Sequence, residues 1–210
     1  MKTALIWGAS GGIGRALVEK LDAERWTVIA VSRKPDTLSP FTPHTLYADV
    51  SSLPSVELAV GKIWQIASEI DLFAYTAGDI TSVKMKVMAP ATWKRIIDAN
   101  LTGVYFTTHA SLPLLAPNAH LFFLGAIHER LQLPGLTAYA AAKAGLEAFG
   151  EALRKELRKQ RVTVVRPAAV ETGLWDKVPF RMPAHALQPA ALAEHIIAAY
   201  QDGHKGLLNI

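Results

Sequence analysis

Tyr139 and Lys143 stand four residues apart in the run Tyr139-Ala140-Ala141-Ala142-Lys143, so on a helix both side chains leave one face. An ammonium beside a phenol favours the phenolate and draws its pKa down from about 10, towards a range where it can trade a proton with an alcohol or carbonyl. Taken alone, the pair equally suits a helix surface, and its weight comes from the residues around it. Gly8-Ala9-Ser10-Gly11-Gly12-Ile13-Gly14 is a turn crowded with glycine, where backbone N–H groups can approach a pyrophosphate at the positive end of a following helix. Ser10, Gly11 and Ile13 complete the phosphate-facing set. The spacing Gly8-x-x-x-Gly12-x-Gly14 is one residue longer at the front than the usual dinucleotide fingerprint. The residue that reads the adenosine ribose is expected about 20 residues past the glycines. There the chain reads Ala30-Val31-Ser32-Arg33-Lys34, without a carboxylate to accept ribose hydroxyls. Arg33 can instead pair with a 2′-phosphate and Ser32 can add a hydrogen bond, which favours NADP over NAD. The alternative is that Arg33 is a surface cation in a loop.

These groups need a scaffold, and the apolar pattern supplies one. Short β-branched runs at 4–7, 27–31, 45–48, 72–75, 120–124, 162–165 and 206–209 alternate with stretches of helical period. That alternation predicts βαβ units and a parallel sheet covered on both faces. Ile13, Ala16, Leu17 and Leu21 mark the first helix, and others are expected over 55–68, 139–158 and from Pro189 to Asp202-Gly203. A further helix carries Trp93, Ile96, Ile97, Leu101 and Val104 on one stripe and stops before Pro113. Asn100 falls on that stripe, where a buried amide must find partners. Residues 168–188 form the one long irregular stretch, the kind of loop that is usually functional in a compact domain.

Composition narrows the function classes. With 210 residues, 50% of them hydrophobic, the chain can bury one substantial core, and a single domain over 1–210 is expected. Net charge is +4, but 22 Lys/Arg are scattered among 18 Asp/Glu, which argues against a nucleic-acid surface. Cysteine is absent, excluding disulfides and thiolate chemistry, and the histidines show no ligand spacing, so no metal is expected. The opening apolar run is short for a signal peptide and no stretch approaches a membrane span, so a cytoplasmic location is expected.

The motifs together resemble the short-chain dehydrogenase/reductase family over nearly the whole chain. They are Gly8-x-x-x-Gly12-x-Gly14, Asp49-Val50, Ala77-Gly78, Asn100, Tyr139-x-x-x-Lys143 and Arg166-Pro167 to Thr172, in order. The resemblance implies a doubly wound Rossmann-type α/β fold, with three layers and a seven-stranded parallel sheet in the order 3-2-1-4-5-6-7. It implies that Asp49 and Val50 hold the adenine, Ala77 and Gly78 line the ribose, and Lys143 binds the nicotinamide ribose. Pro167, Val170 and Thr172 would lie by the carboxamide. Asn100 would hold a water that relays protons to Lys143, beside its alternative as a structural hydrogen-bonding residue. The activity implied is hydride transfer between NADP(H) and a small carbonyl or alcohol substrate, by a homodimer or homotetramer. Residues from about 171 to 188, with Leu174, Trp175, Val178, Pro179, Phe180 and Met182, would form a substrate lid, and their character suggests an apolar substrate.

One departure bears on the chemistry. The family's catalytic Ser lies thirteen residues before the Tyr, and that position here is Ala126. The missing hydroxyl is a hydrogen-bond donor to the substrate oxygen, so the chain is either a slowed enzyme, one with a relocated donor, or a dinucleotide-binding redox sensor or partner subunit. His128 is the candidate replacement, against the reading of a loop histidine facing water, and Thr137 is a weaker one. Trp7, Tyr75-Thr76 and Ala168 also depart from the family's usual residues.

Overall fold

The computed structural model describes residues 1–210. Seven strands, β1 (Thr3–Trp7), β2 (Thr27–Ser32), β3 (His44–Tyr47), β4 (Ile70–Tyr75), β5 (Leu115–Leu124), β6 (Arg161–Arg166) and β7 (Gly206–Asn209), form one sheet. Every pairing is parallel and the order is 3-2-1-4-5-6-7. The order reverses between β1 and β4, and the carboxyl ends of the strands at such a reversal open a crevice suited to a ligand. All five residues of β1 are buried because helices cover both faces. Successive side chains serve opposite layers. Ala4 and Ile6 pack with α1 (Gly12–Ala23) and α6 (Pro189–Asp202), whereas Leu5 and Trp7 pack with α2 (Leu53–Ile66), α4 (Gly103–Ser111) and α5 (Thr137–Glu156).

Local signals account for the helix ends. The Ser52 hydroxyl accepts the Ser55 N–H at the start of α2, and Pro189 opens α6, whose last carbonyls take the Gly203 and His204 N–H groups. The helix expected to run through Trp93 and Val104 is interrupted. It consists of α3 (Pro90–Ile97), a wide π turn (Asp98–Thr102) and α4. Ile96, Asn100 and Val104 keep to the buried face, but Trp93 is exposed near the open end of α3. The Tyr75 hydroxyl donates to the Ala99 carbonyl at 2.8 Å, satisfying a group that the π turn frees from the regular helical ladder. Residues 76–89, between β4 and α3, form a second long irregular stretch that the apolar pattern does not announce. The stretch at 168–188 is closed at its base by a parallel bridge between Val170 and Leu187. No helix is long and apolar enough to cross a membrane.

One polar side chain sits deep in the sheet. His120 is fully buried, with Nε2 2.8 Å from the Thr163 hydroxyl and its ring stacked on Phe122. Burial, aided by the charges of Arg161, His204 and Lys205, pulls its pKa down to about 3. A histidine held neutral in the fold and basic when unfolded contributes stability that is complete above about pH 6.5 and lost as pH falls towards 3. The His120→Gln variant is expected to have a flatter Tm-against-pH curve than the parent between pH 6.5 and 4. Parallel curves in differential scanning calorimetry would contradict that assignment.

Candidate active site

Over the carboxyl ends of β1, β2 and β4 lies a cleft of about 840 Å³. Its floor is the glycine turn, and two contacts explain the glycines. Gly8 has φ +82° and its N–H donates to the Val31 carbonyl at 2.9 Å, while a Cβ there would sit 2.3 Å from the Ala77 nitrogen. A Cβ on Gly14 would sit 2.5 Å from the Gly8 carbonyl oxygen. The turn therefore folds onto itself only without side chains. Gly11 occupies the cap of α1 with no side-chain cap bond, so the first N–H groups of the helix face the cleft unsatisfied by the chain. That is a cradle for an anion, with the helix dipole behind it.

The β2 side of the cleft is basic. Arg33 and Lys34 line it, and the buried Ser32 hydroxyl accepts the Lys34 N–H at 3.1 Å. Asp49 is also on the wall, its carboxylate accepting the Ser51 N–H at 3.0 Å and the Ser51 hydroxyl at 2.7 Å. Burial pushes this carboxyl up, but the Ser51 hydrogen bonds and the Arg33 charge outweigh it and hold it below the usual range. The opposite wall holds residues that spacing did not single out. Asp79 accepts from Lys177 at 2.6 Å and is paired with Arg95, and Lys94 pairs with Asp98 one turn along. The signal for Lys94 and Asp98 was an i, i+4 pair, which falls at the end of α3. Nothing local links Asp79 to Lys177, 98 residues away.

Of the residues singled out in the sequence, Gly8, Ser10, Gly11, Gly12, Ile13, Ser32, Arg33, Asp49, Val50, Ala77, Gly78 and Thr172 line the cleft. Gly14, Asn100, His128, Tyr139, Lys143, Pro167 and Val170 do not form its wall. Tyr139 and Lys143 do share one face of α5, with Nζ 5.5 Å from the phenol ring centre. Lys143 is buried and donates to the Leu124 carbonyl at 2.7 Å. The electrostatics differ from the expectation of an acidified phenol. Loss of hydration pushes the half-buried Tyr139 up to about 12 and pulls the buried Lys143 down to about 8, because it disfavours each charged form. The ammonium spends its short hydrogen bond on a carbonyl instead of the phenol.

Asn100 sits in the π turn, where its amide nitrogen donates to the Ile96 carbonyl at 2.9 Å and to the Asp79 carbonyl at 2.7 Å. These bonds are structural, tying the helix to the loop after β4. Its carbonyl oxygen is buried without a hydrogen-bond partner and faces Gly78. Ala126 leaves the end of β5 without a hydroxyl, and its carbonyl accepts from Arg166 Nε at 3.4 Å. His128 is held in an ionic cluster, with Nδ1 3.1 Å from Glu147, whose carboxylate also takes Arg166 Nε at 3.1 Å. Thr137 is exposed at the first position of α5. Val170 is buried and its carbonyl accepts the Trp175 indole N–H at 2.8 Å, while Pro167 follows the end of β6.

Comparison with known proteins agrees with this architecture. A family model described as short chain dehydrogenase matches residues 2–181. The chain is 30% identical over 183 residues to the 3-oxoacyl-(acyl-carrier-protein) reductase FabG of Escherichia coli K12, covering 82% of this chain and 75% of that one. It is 26% identical over 209 residues to an uncharacterized oxidoreductase of Staphylococcus haemolyticus, covering 94% and 90%. Among solved structures, an alcohol dehydrogenase from Thermococcus sibiricus complexed with 5-hydroxy-NADP superposes with a TM-score of 0.90 at 23% identity. That match covers 100% of this chain and 96% of that one. A 3-ketoacyl-(acyl-carrier-protein) reductase from Brucella melitensis complexed with NADH superposes at 0.88 and 22%, with the same coverage.

The burial of Tyr139 sets its titration. In the coenzyme-free chain its ring-carbon NMR signal, assigned by its loss in Tyr139→Phe, is expected to titrate with a midpoint of about 12. A midpoint below 10 would restore the acidified phenol.

Proposed function

The chain belongs to the short-chain dehydrogenase family of oxidoreductases, and on that premise we propose that it transfers a hydride between NADP(H) and a small, apolar carbonyl or alcohol substrate. The observation that carries the coenzyme reading is the cleft: a side-chain-free cradle at the start of α1 that opens beside Arg33 and Lys34. The residues fit such a group, with its pyrophosphate against the N–H groups of Gly12 and Ile13, the Gly11 N–H being taken by the Gly8 carbonyl, and a 2′-phosphate against Arg33. Asp49 and Val50 would flank the adenine, Ala77 and Gly78 the ribose, and Lys143 the nicotinamide ribose, with Pro167, Val170 and Thr172 by the carboxamide. Bound there, the coenzyme supplies the hydride.

The protein's own part is proton management. A phenol with its pKa raised to about 12 keeps its proton at neutral pH and is a weaker acid than in water, so Tyr139 donates only to an oxygen as basic as the alkoxide that forms when a carbonyl is reduced. Lys143, at about 8, lies close enough to neutrality to hand on a proton in turn. For the donor that Ala126 lacks we assign His128, whose Nδ1–H is committed to the Glu147 carboxylate, so that its Nε2 donates only when the ring carries a second proton and otherwise accepts. Residues 171–188 act as a lid over the substrate, and their apolar side chains exclude water from the transfer. The chain works as one domain over 1–210, in a symmetric homodimer or homotetramer. A second reading, a dinucleotide-binding sensor or partner subunit with little chemistry, is favoured by one observation, the missing hydroxyl at 126.

Calorimetric titration is expected to give NADPH at least about tenfold tighter than NADH, with the preference lost in Arg33→Ala. Loss of NADPH absorbance against a panel of ketones, aldehydes and quinones then decides between enzyme and sensor, since tight binding without turnover on any class selects the second reading. If the enzyme reading holds, Ala126→Ser gains roughly 10²-fold or less in rate and His128→Ala loses about tenfold. A His128→Ala variant with full activity would return that ring to a structural role.

A further inference from the structure

Lys177 and Arg95 reach Asp79 from different parts of the cleft wall and share its carboxylate. Lys177 belongs to the segment between Val170 and Leu187, a loop hung from a paired base, whereas Arg95 stands on α3 and Asp79 in the stretch after β4. The pair between Asp79 and Lys177 therefore ties that loop to the cleft wall. The Asp79 side chain is only 13% exposed, while those of Lys177 and Arg95 are 48% and 50% exposed. The carboxylate is the fixed partner and the two cations are the ones free to swing. Positive charge is also in excess: burial and the charges of Arg95 and Arg33 push the Lys177 ammonium below the usual lysine range. Five cations, Arg33, Lys34, Lys94, Arg95 and Lys177, thus face one cavity against the carboxylates of Asp49, Asp79 and Asp98, and Asp79 neutralises only one of the two charges that share it.

We propose that Lys177 and Arg95 form a phosphate clamp held in reserve on Asp79, which they leave for a phosphate of the bound coenzyme, drawing residues 171–188 down over it. The proposal rests on the reading that the cleft takes a nicotinamide dinucleotide. A dinucleotide's phosphates offer more acceptor oxygens and more negative charge than the single carboxylate the two cations now share, so both can form charge-assisted hydrogen bonds there. The clamp gives the loop a reason to close only over an occupied cleft, because its closing contact is the ligand itself. The recognised chemistry is a phosphate group, which the coenzyme carries at two places, the pyrophosphate near the α1 turn and the 2′-phosphate near Arg33.

The test uses the full chain and compares the parent, Lys177→Ala and Asp79→Asn by calorimetric titration with NADPH and with NADH. Lys177→Ala is expected to bind NADPH about tenfold more weakly, and Asp79→Asn, which removes the competing carboxylate, to bind it more tightly. Equal weakening towards NADH assigns the clamp to the pyrophosphate, and weakening confined to NADPH assigns it to the 2′-phosphate. NADPH is also expected to slow tryptic cleavage after the exposed Arg181 in the parent and not in Lys177→Ala. Unchanged NADPH affinity in Lys177→Ala, or weakening in both variants alike, overturns the clamp and leaves an ordinary ion pair. A parent chain that binds neither dinucleotide overturns the coenzyme reading, and the clamp with it.

Discussion

The architecture hinges on the approach of two backbone segments at the head of the sheet, Gly8 against Ala77. They meet where strand order reverses, so any side chain on Gly8 would force β1 and β4 apart. The Thr76 hydroxyl fastens the same corner by donating to the Trp7 carbonyl at 2.8 Å. From that contact follow the exposed N–H groups of α1, the floor of the cleft and the position of the loop after β4 that carries Asp79. The departures at Trp7, Tyr75 and Thr76 are absorbed here: Trp7 fills the core, Tyr75 braces the π turn and Thr76 closes the corner.

Desolvation governs the chemistry more than pairing does. Tyr139 and Lys143 lie on one face as their spacing requires, yet the interior moves both towards neutrality. A charge inside protein needs a partner of opposite sign in direct contact, and Lys143 has a carbonyl instead. A neutral phenol can donate to the alkoxide that carbonyl reduction forms, but the burial that disfavours the phenolate also makes it a weaker acid than in water. The same logic separates the two histidines discussed. His120 is kept neutral by burial with nothing negative in reach, and His128 differs in its surroundings, its Nδ1 lying 3.1 Å from the Glu147 carboxylate.

Much of the scaffold was legible along the chain. Each expected strand lies within an observed one or within a residue of its end, because a sheet covered on both faces needs unbroken apolar runs that few other structures demand. The glycine turn was legible for a similar reason, since its contacts are local and exclude side chains. The π turn at Asn100 was not, because its cause lies in Tyr75, a residue of a different element that supplies the hydrogen bond. Trp93 was misplaced on the buried stripe because periodicity describes a helix and says nothing of where its neighbours stop. The stretch at 76–89 escaped notice because Val83, Met85 and Val87 alternate through it as in a strand, although Gly78, Asp79, Thr81 and Ser82 are turn-forming residues.

What the sequence determined by itself, then, is everything governed by short range: strand and helix periods, the bare turn, the pairing of Tyr139 with Lys143 on one face, and the want of a hydroxyl at 126. Only the tertiary structure decided the states of those groups and the partners of the charged ones. Desolvation depends on what packs around a residue from elsewhere in the chain, and the bond between Asp79 and Lys177 joins residues 98 positions apart that no local period relates.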